Sequence, residues 1–193
     1  MNEMIWLIGL IVVLVIAGAA IYIAQRQRSR QLRTHFGPEY DHALEGHRDR
    51  RAAERALLDR ARRVDKLEIR ALPPLRREEV RAKWQAVQAQ FVDDPTNAIH
   101  EAHLLLAAVM HEQGYPTGKF DEECELLSVH HPATIQHYRA AHDLAAERAR
   151  GEGDTEHLRQ AMIHYRALFE DLLTLGAHQE THHNHHKEIR REA

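Results

Sequence analysis

The chain has 193 residues, of which 44% are hydrophobic, 28% charged and only 6% aromatic, with a formal net charge of −3. That length holds one modest domain and a little more, and the single cysteine, Cys124, excludes an internal disulfide and agrees with a reducing compartment. Residues 71–193 carry 13 Lys and Arg against 20 Asp and Glu, which argues against nucleic acid as a partner, while residues 25–70 carry 13 against 8.

The first element is apolar throughout. Met4 to Ala24 reads MIWLIGLIVVLVIAGAAIYIA, 21 residues without a charge, and at 1.5 Å per residue a helix of that length covers about 30 Å, the hydrocarbon thickness of a bilayer. A transmembrane helix is the expectation over 4–24. A cleaved signal peptide is the rival, because Ala17-Gly18-Ala19 offers a small-residue cleavage pattern. However, Glu3 precedes the run where a signal would carry a base, and the apolar stretch continues past that site into Ile21-Tyr22-Ile23. Arg26, Arg28, Arg30 and Arg33 follow with no acid among them. Positive residues stay inside, so these arginines predict the N-terminus out and the remainder in the cytoplasm, with a basic juxtamembrane segment over 25–37.

Beyond that point the chain reads as helix. Gly37-Pro38 is a break, and Pro38 is placed to open one charged, alanine-rich stalk helix over Glu39–Lys66, within a stalk segment assigned to 38–70. Pro73-Pro74 precedes a helix striped by Val80, Trp84, Val87 and Phe91. In FVDDP, Asp94 is placed to cap a new helix with Pro95 in its first position, and Gly114-Tyr115-Pro116 ends that helix. A short helix or ordered loop follows over Phe120–Leu127.

The tetrapeptide HYRA then appears twice, at His137–Ala140 and at His164–Ala167. On a wheel of 100° per residue, Tyr138 shares its face with Thr134, Ile135, Ala141, His142, Ala145 and Ala149. Tyr165 shares its own with Leu158, Ala161, Met162, Leu168, Phe169 and Leu172. In both copies the histidine and arginine fall on opposite flanks. The pattern predicts an antiparallel helical hairpin broken at Gly151-Glu152-Gly153, with the tyrosines inside and the histidines at the edges. The fold class expected is all-α: a transmembrane helix, a stalk helix and a small helical bundle over 71–177, ending in that hairpin.

No motif assigns a reaction. There is no H-E-x-x-H, no G-x-S-x-G, no phosphate-binding glycine loop and no cysteine pair, so no catalytic residue is assigned. Glu39–His42 and Glu180–His183 have the Glu-x-x-His spacing of half a di-iron site, without the two further glutamates such a site needs. The C-terminal segment, 178–193, is rich in histidine. His178, His182 and His186 recur every four residues, and with His183 and His185 they form a tract able to chelate Zn²⁺, Ni²⁺ or Cu²⁺ weakly. A solvated tail without metal function is the favoured reading of the tract, and no other cofactor is expected.

Several stretches together resemble an uncharacterised family of short, single-pass bacterial membrane proteins with an all-helical soluble domain. They are FGPEYD at Phe36–Asp41, RRVDKLEIR at Arg62–Arg70, the helix from Trp84 to Pro95, GYP at Gly114–Pro116, VHHP at Val129–Pro132 and HYRALFEDLL ending at Leu173. In that pattern an aspartate is usual where His130 stands, which argues against a metal role for His130-His131. The histidine tract lies outside the similar region. The resemblance implies a membrane-anchored helical protein and carries no activity.

Three functions remain open. A membrane-anchored interaction or adaptor domain is favoured, with the membrane and a protein as partners, self-association open, and no nucleic acid. A metal-binding accessory protein would use the C-terminal tract. An enzyme would need His103, His111, His142 and nearby carboxylates to converge in the fold.

Overall fold

The computed structural model describes residues 2–189, with side chains described over 13–174. Among the described residues there are eight helices and no strand: α1 (Asn2–Phe36), α2 (Pro38–Glu45), α3 (Arg50–Val64), α4 (Pro74–Gln90), α5 (Pro95–Gln113), α6 (Phe120–His130), α7 (Ile135–Ala149) and α8 (Thr155–Ile189). The all-α class is as the periodicity predicts. Contacts divide the chain into two compact units, Met1–Leu57 and Leu58–Ala193.

In the first unit, the transmembrane helix expected over Met4–Ala24 is not supported: among the described residues no helix is long and apolar enough to cross a membrane. The segment up to Val12 lies outside the described side chains. From Val13 to Ile23 the large apolar side chains are 55–64% exposed. Gly37 turns the chain at φ 48°, a conformation glycine adopts at no steric cost, and Pro38 opens α2. The single stalk helix expected over Glu39–Lys66 is two helices. Gly46 ends α2, and the Asp49 carboxylate accepts from the Ala52 amide at 2.9 Å to start α3. Phe36, Tyr40, Ala43, Ala53 and Leu57 are buried, and the Tyr40 hydroxyl donates to Glu54 at 2.9 Å.

The second unit is built around α5 and α8. Asp94 caps α5 as the sequence predicts, accepting from the Asn97 amide at 3.0 Å with Pro95 in the first turn. Gly114 ends α5 at φ 97°, and its bare Cα admits the Glu68 carbonyl, which a Cβ would meet at 2.6 Å. Gln113 then receives the chain twice: its carbonyl accepts from the Arg70 amide at 2.8 Å, and its amide side chain donates to the Leu172 carbonyl at 2.8 Å. Trp84 of α4 stacks on Phe169 of α8, with ring centroids 4.5 Å apart and planes at 15°.

Helices α7 and α8 form the predicted antiparallel hairpin. The pairs that meet across it are Thr134 with Asp171, His137 with His164 and Glu147 with His157, so partners converge toward the turn as the chain is followed inward. Tyr138 and Tyr165 are both fully buried, with ring centroids 6.1 Å apart.

Candidate functional site

Small side chains create the site. Along α7 the face that carries Tyr138 continues as the buried Ala141 and then as Ala145 and Ala149, and the methyl groups of the last two do not fill the space opposite α5. The result is a groove of about 730 Å³ near the α7–α8 turn, walled by Ile99 and His103 of α5, His142 and Ala145 of α7, and Leu158 and Tyr165 of α8. That volume lies within the range of small-molecule sites, roughly 300–1,000 Å³. Thr96, His100, Arg148 and Gly151 also line it, and among the described residues no aspartate or glutamate does.

Two of its imidazoles are unusual. The Nδ1 atoms of His103 and His142 are covered and have no hydrogen-bond partner. Burial holds the His103 pKa below its ordinary value, against the opposing pull of Glu123. His103 lies nearly parallel to Tyr138 at 6.3 Å and 6.0 Å from Tyr165. His142 stacks on Phe120 at 3.7 Å, and its Nδ1 is 3.8 Å from the Asp143 carboxylate, beyond hydrogen-bond range. Behind these rings the buried Glu123 accepts from the Tyr138 hydroxyl at 3.1 Å and from the Gly118 amide at 2.7 Å. Desolvation, reinforced by Glu123, pushes the Tyr138 phenol pKa up, so the hydroxyl stays protonated as donor.

Elsewhere the histidines are ties. His137 and His164, expected as separate edge residues, meet Nδ1 to Nδ1 at 2.9 Å, so one ring donates and the other must be neutral to accept. Burial, and then His137, lowers the His164 pKa. The Tyr115 hydroxyl pairs with His130 Nδ1 at 2.8 Å, and His131 Nδ1 with Asp171 at 2.8 Å, where Thr134 also donates. The VHHP histidines therefore fasten the end of α6 to its neighbours.

Of the three helix-borne histidines considered for an enzyme, His103 and His142 share the groove, and His111 is exposed on α5 and does not line it. Glu39 is buried while His42 of the same Glu-x-x-His spacing is exposed, so the pair does not converge. Among the described residues no three His, Cys, Asp or Glu side chains are grouped to hold a metal ion. The expected metal residues His178, His182, His183, His185 and His186 lie outside the described side chains, as does Glu180–His183. Arg26, Arg28, Arg30 and Arg33 are all exposed, and Arg33 pairs with Asp41 at 3.2 Å. Sequence reasoning passed over His100, Arg148 and the groove itself. The visible signal was the pair of alanines at 145 and 149 on the tyrosine face, too small to fill an interface.

Comparison with protein-family models, with curated proteins and with solved structures found no match.

Proposed function

We propose that the chain is a membrane-anchored helical binding domain, whose ligand lies in the groove between α5, α7 and α8. The observation that carries this reading is the groove: an apolar-walled space of small-molecule size into which polar groups from three helices converge. The Ala145→Trp variant should fill it. Titration of the full chain in nanodiscs with 1-anilinonaphthalene-8-sulfonate, corrected for empty nanodiscs, should show binding that Ala145→Trp removes. Binding that survives the substitution would contradict the reading.

The anchor rests on the uncharged run over 4–24 and on the exposed apolar side chains between Val13 and Ile23, a surface too continuous to stay in water. The charges of Arg26, Arg28, Arg30 and Arg33 favour a domain on the cytoplasmic side of a cell membrane with the N-terminus out. A reporter fused after Ala193 should then behave as cytoplasmic, and replacing those four arginines should weaken or invert that orientation. An exported reporter with the native sequence would overturn it.

A further inference from the structure

We propose that the groove takes an amphipathic carboxylate, its apolar body on Ile99, Ala145 and Leu158 and its anionic head held at the mouth by Arg148 together with the His103 and His142 ring edges. This deepens the binding-domain reading and rests on it.

Charge points to an anion. Residues 71–193 are acidic overall, 13 Lys and Arg against 20 Asp and Glu, yet among the described residues the groove lining holds one guanidinium, three imidazoles and no carboxylate. A lining so unlike its surroundings complements a negative ligand.

The orphaned nitrogens point to a hydrogen-bond acceptor. A neutral imidazole has one donor and one acceptor nitrogen, and a buried N–H without a partner is the rarer and more costly of the two orphans. With Nδ1 covered and unpartnered in His103 and His142, each ring is best served by a proton on Nε2. That assignment follows from the partners present. It makes Nε2 the nitrogen left to donate, and a carboxylate oxygen is its natural acceptor.

Arg148 is already positioned. One guanidinium nitrogen donates to the Gly153 carbonyl at 3.3 Å, anchoring the side chain to the α7–α8 turn and leaving other N–H groups for a carboxylate, the partner that Arg engages in two parallel bonds. Beside Thr96 and His100, the wall offers the methyl groups of Ala145, Ala146 and Ala149, the branched side chains of Ile99 and Leu158 and the Tyr165 ring, which suit a hydrocarbon body. A fatty acid leaving the bilayer and a soluble aryl-alkanoate share this chemistry.

The test uses the full chain in nanodiscs and a 12-carbon carboxylate bearing a diazirine. Photolysis should label peptides of α5, α7 and α8. Dodecanoate should protect at concentrations at least about tenfold lower than dodecanol, and dodecyltrimethylammonium should not protect. Hexadecanoate and 4-phenylbutyrate, compared as competitors, distinguish the bilayer source from the soluble one. Arg148→Gln should erase the advantage of the acid over the alcohol while melting at the wild-type temperature. If acid and alcohol protect equally, or Arg148→Gln leaves the preference intact, the carboxylate assignment is wrong. In that case, loss of label in Ala145→Trp would still sustain a binding groove. Label that persists in Ala145→Trp, or that falls elsewhere, overturns both.

Discussion

Helices α1 and α8 are each 35 residues long, and they distribute their apolar residues in opposite ways. In α8, Leu158, Ala161, Met162, Tyr165, Leu168, Phe169 and Leu172 return every three or four residues and are all buried. In α1, Val13-Leu14-Val15-Ile16 and Ile21-Tyr22-Ile23 are consecutive, point around the whole helix and are all exposed. A stripe can be satisfied by one neighbouring helix, and α8 finds α5 and α7. A cylinder cannot, and in our account it is covered by lipid. Arrangement, more than the amount of apolar surface, decides what medium a helix needs.

The largest effect expected from this contrast is at Tyr165. Replacing that buried ring by alanine should cost about 3–5 kcal/mol in denaturant unfolding of the full chain, whereas Tyr22→Ala on α1 should move the same transition by no more than about 0.5 kcal/mol. Comparable losses would erase the distinction between the two helices.

Next is the end of α5. Gly114→Ala forces a side chain into a φ of 97° and against the Glu68 carbonyl, and should cost about 2 kcal/mol or more. A shift of only a few tenths would mean that the approach of residue 68 to α5 is not tight. Removing the α5 cap by Asp94→Ala should cost about 1 kcal/mol, read from the same unfolding curves, and Asp94→Asn should recover most of it.

The smallest effect is at the hairpin edge and depends on pH. His164 has a lowered pKa in the fold, from burial and from His137, and His103 is lowered by burial. A lowered imidazole pKa means that the unfolded chain binds the proton more readily. The stability these groups contribute is therefore full above the unfolded value of about 6.5 and is lost as pH falls below it. His157 is shifted the opposite way, chiefly by its hydrogen bond to Asp154, but that pair is partly exposed and screened by solvent. Lowering the pH from about 7.5 to about 5.5 should reduce the melting temperature by a few degrees, and the His137→Gln, His164→Gln double variant should flatten part of that drop. An identical drop in the double variant would show that the 2.9 Å pair contributes nothing to the pH response.

Much of this fold was legible because its signals are local. Asp94-Pro95, Gly114 and the inward tyrosines each follow from a residue and its near neighbours along the helix. The break at Gly46–Asp49 was missed because a charged, alanine-rich stretch reads as continuous helix and one glycine with an aspartate three residues on is a weak interruption. The His137–His164 contact was half legible: a wheel places each ring on a flank, but only the register of two helices brings those flanks together. The groove was legible only as small residues at 145 and 149 on the tyrosine face, since its shape depends on what those alanines leave open between segments as distant as Thr96 and Tyr165.

The anchor is tested most directly by cysteine accessibility, because the one native thiol, Cys124, is buried. Single cysteines at Leu14, Ile16, Ile21 and Ile23, in a Cys124→Ser background and in sealed membrane vesicles, would be challenged with a membrane-impermeant maleimide from either side. Leu104→Cys, at an exposed position of α5, serves as the aqueous reference. The account predicts that Leu104→Cys reacts from the cytoplasmic face while the four α1 positions resist until the bilayer is dissolved. Reaction of those four as fast as position 104 would place the apolar run of α1 in water and contradict the account.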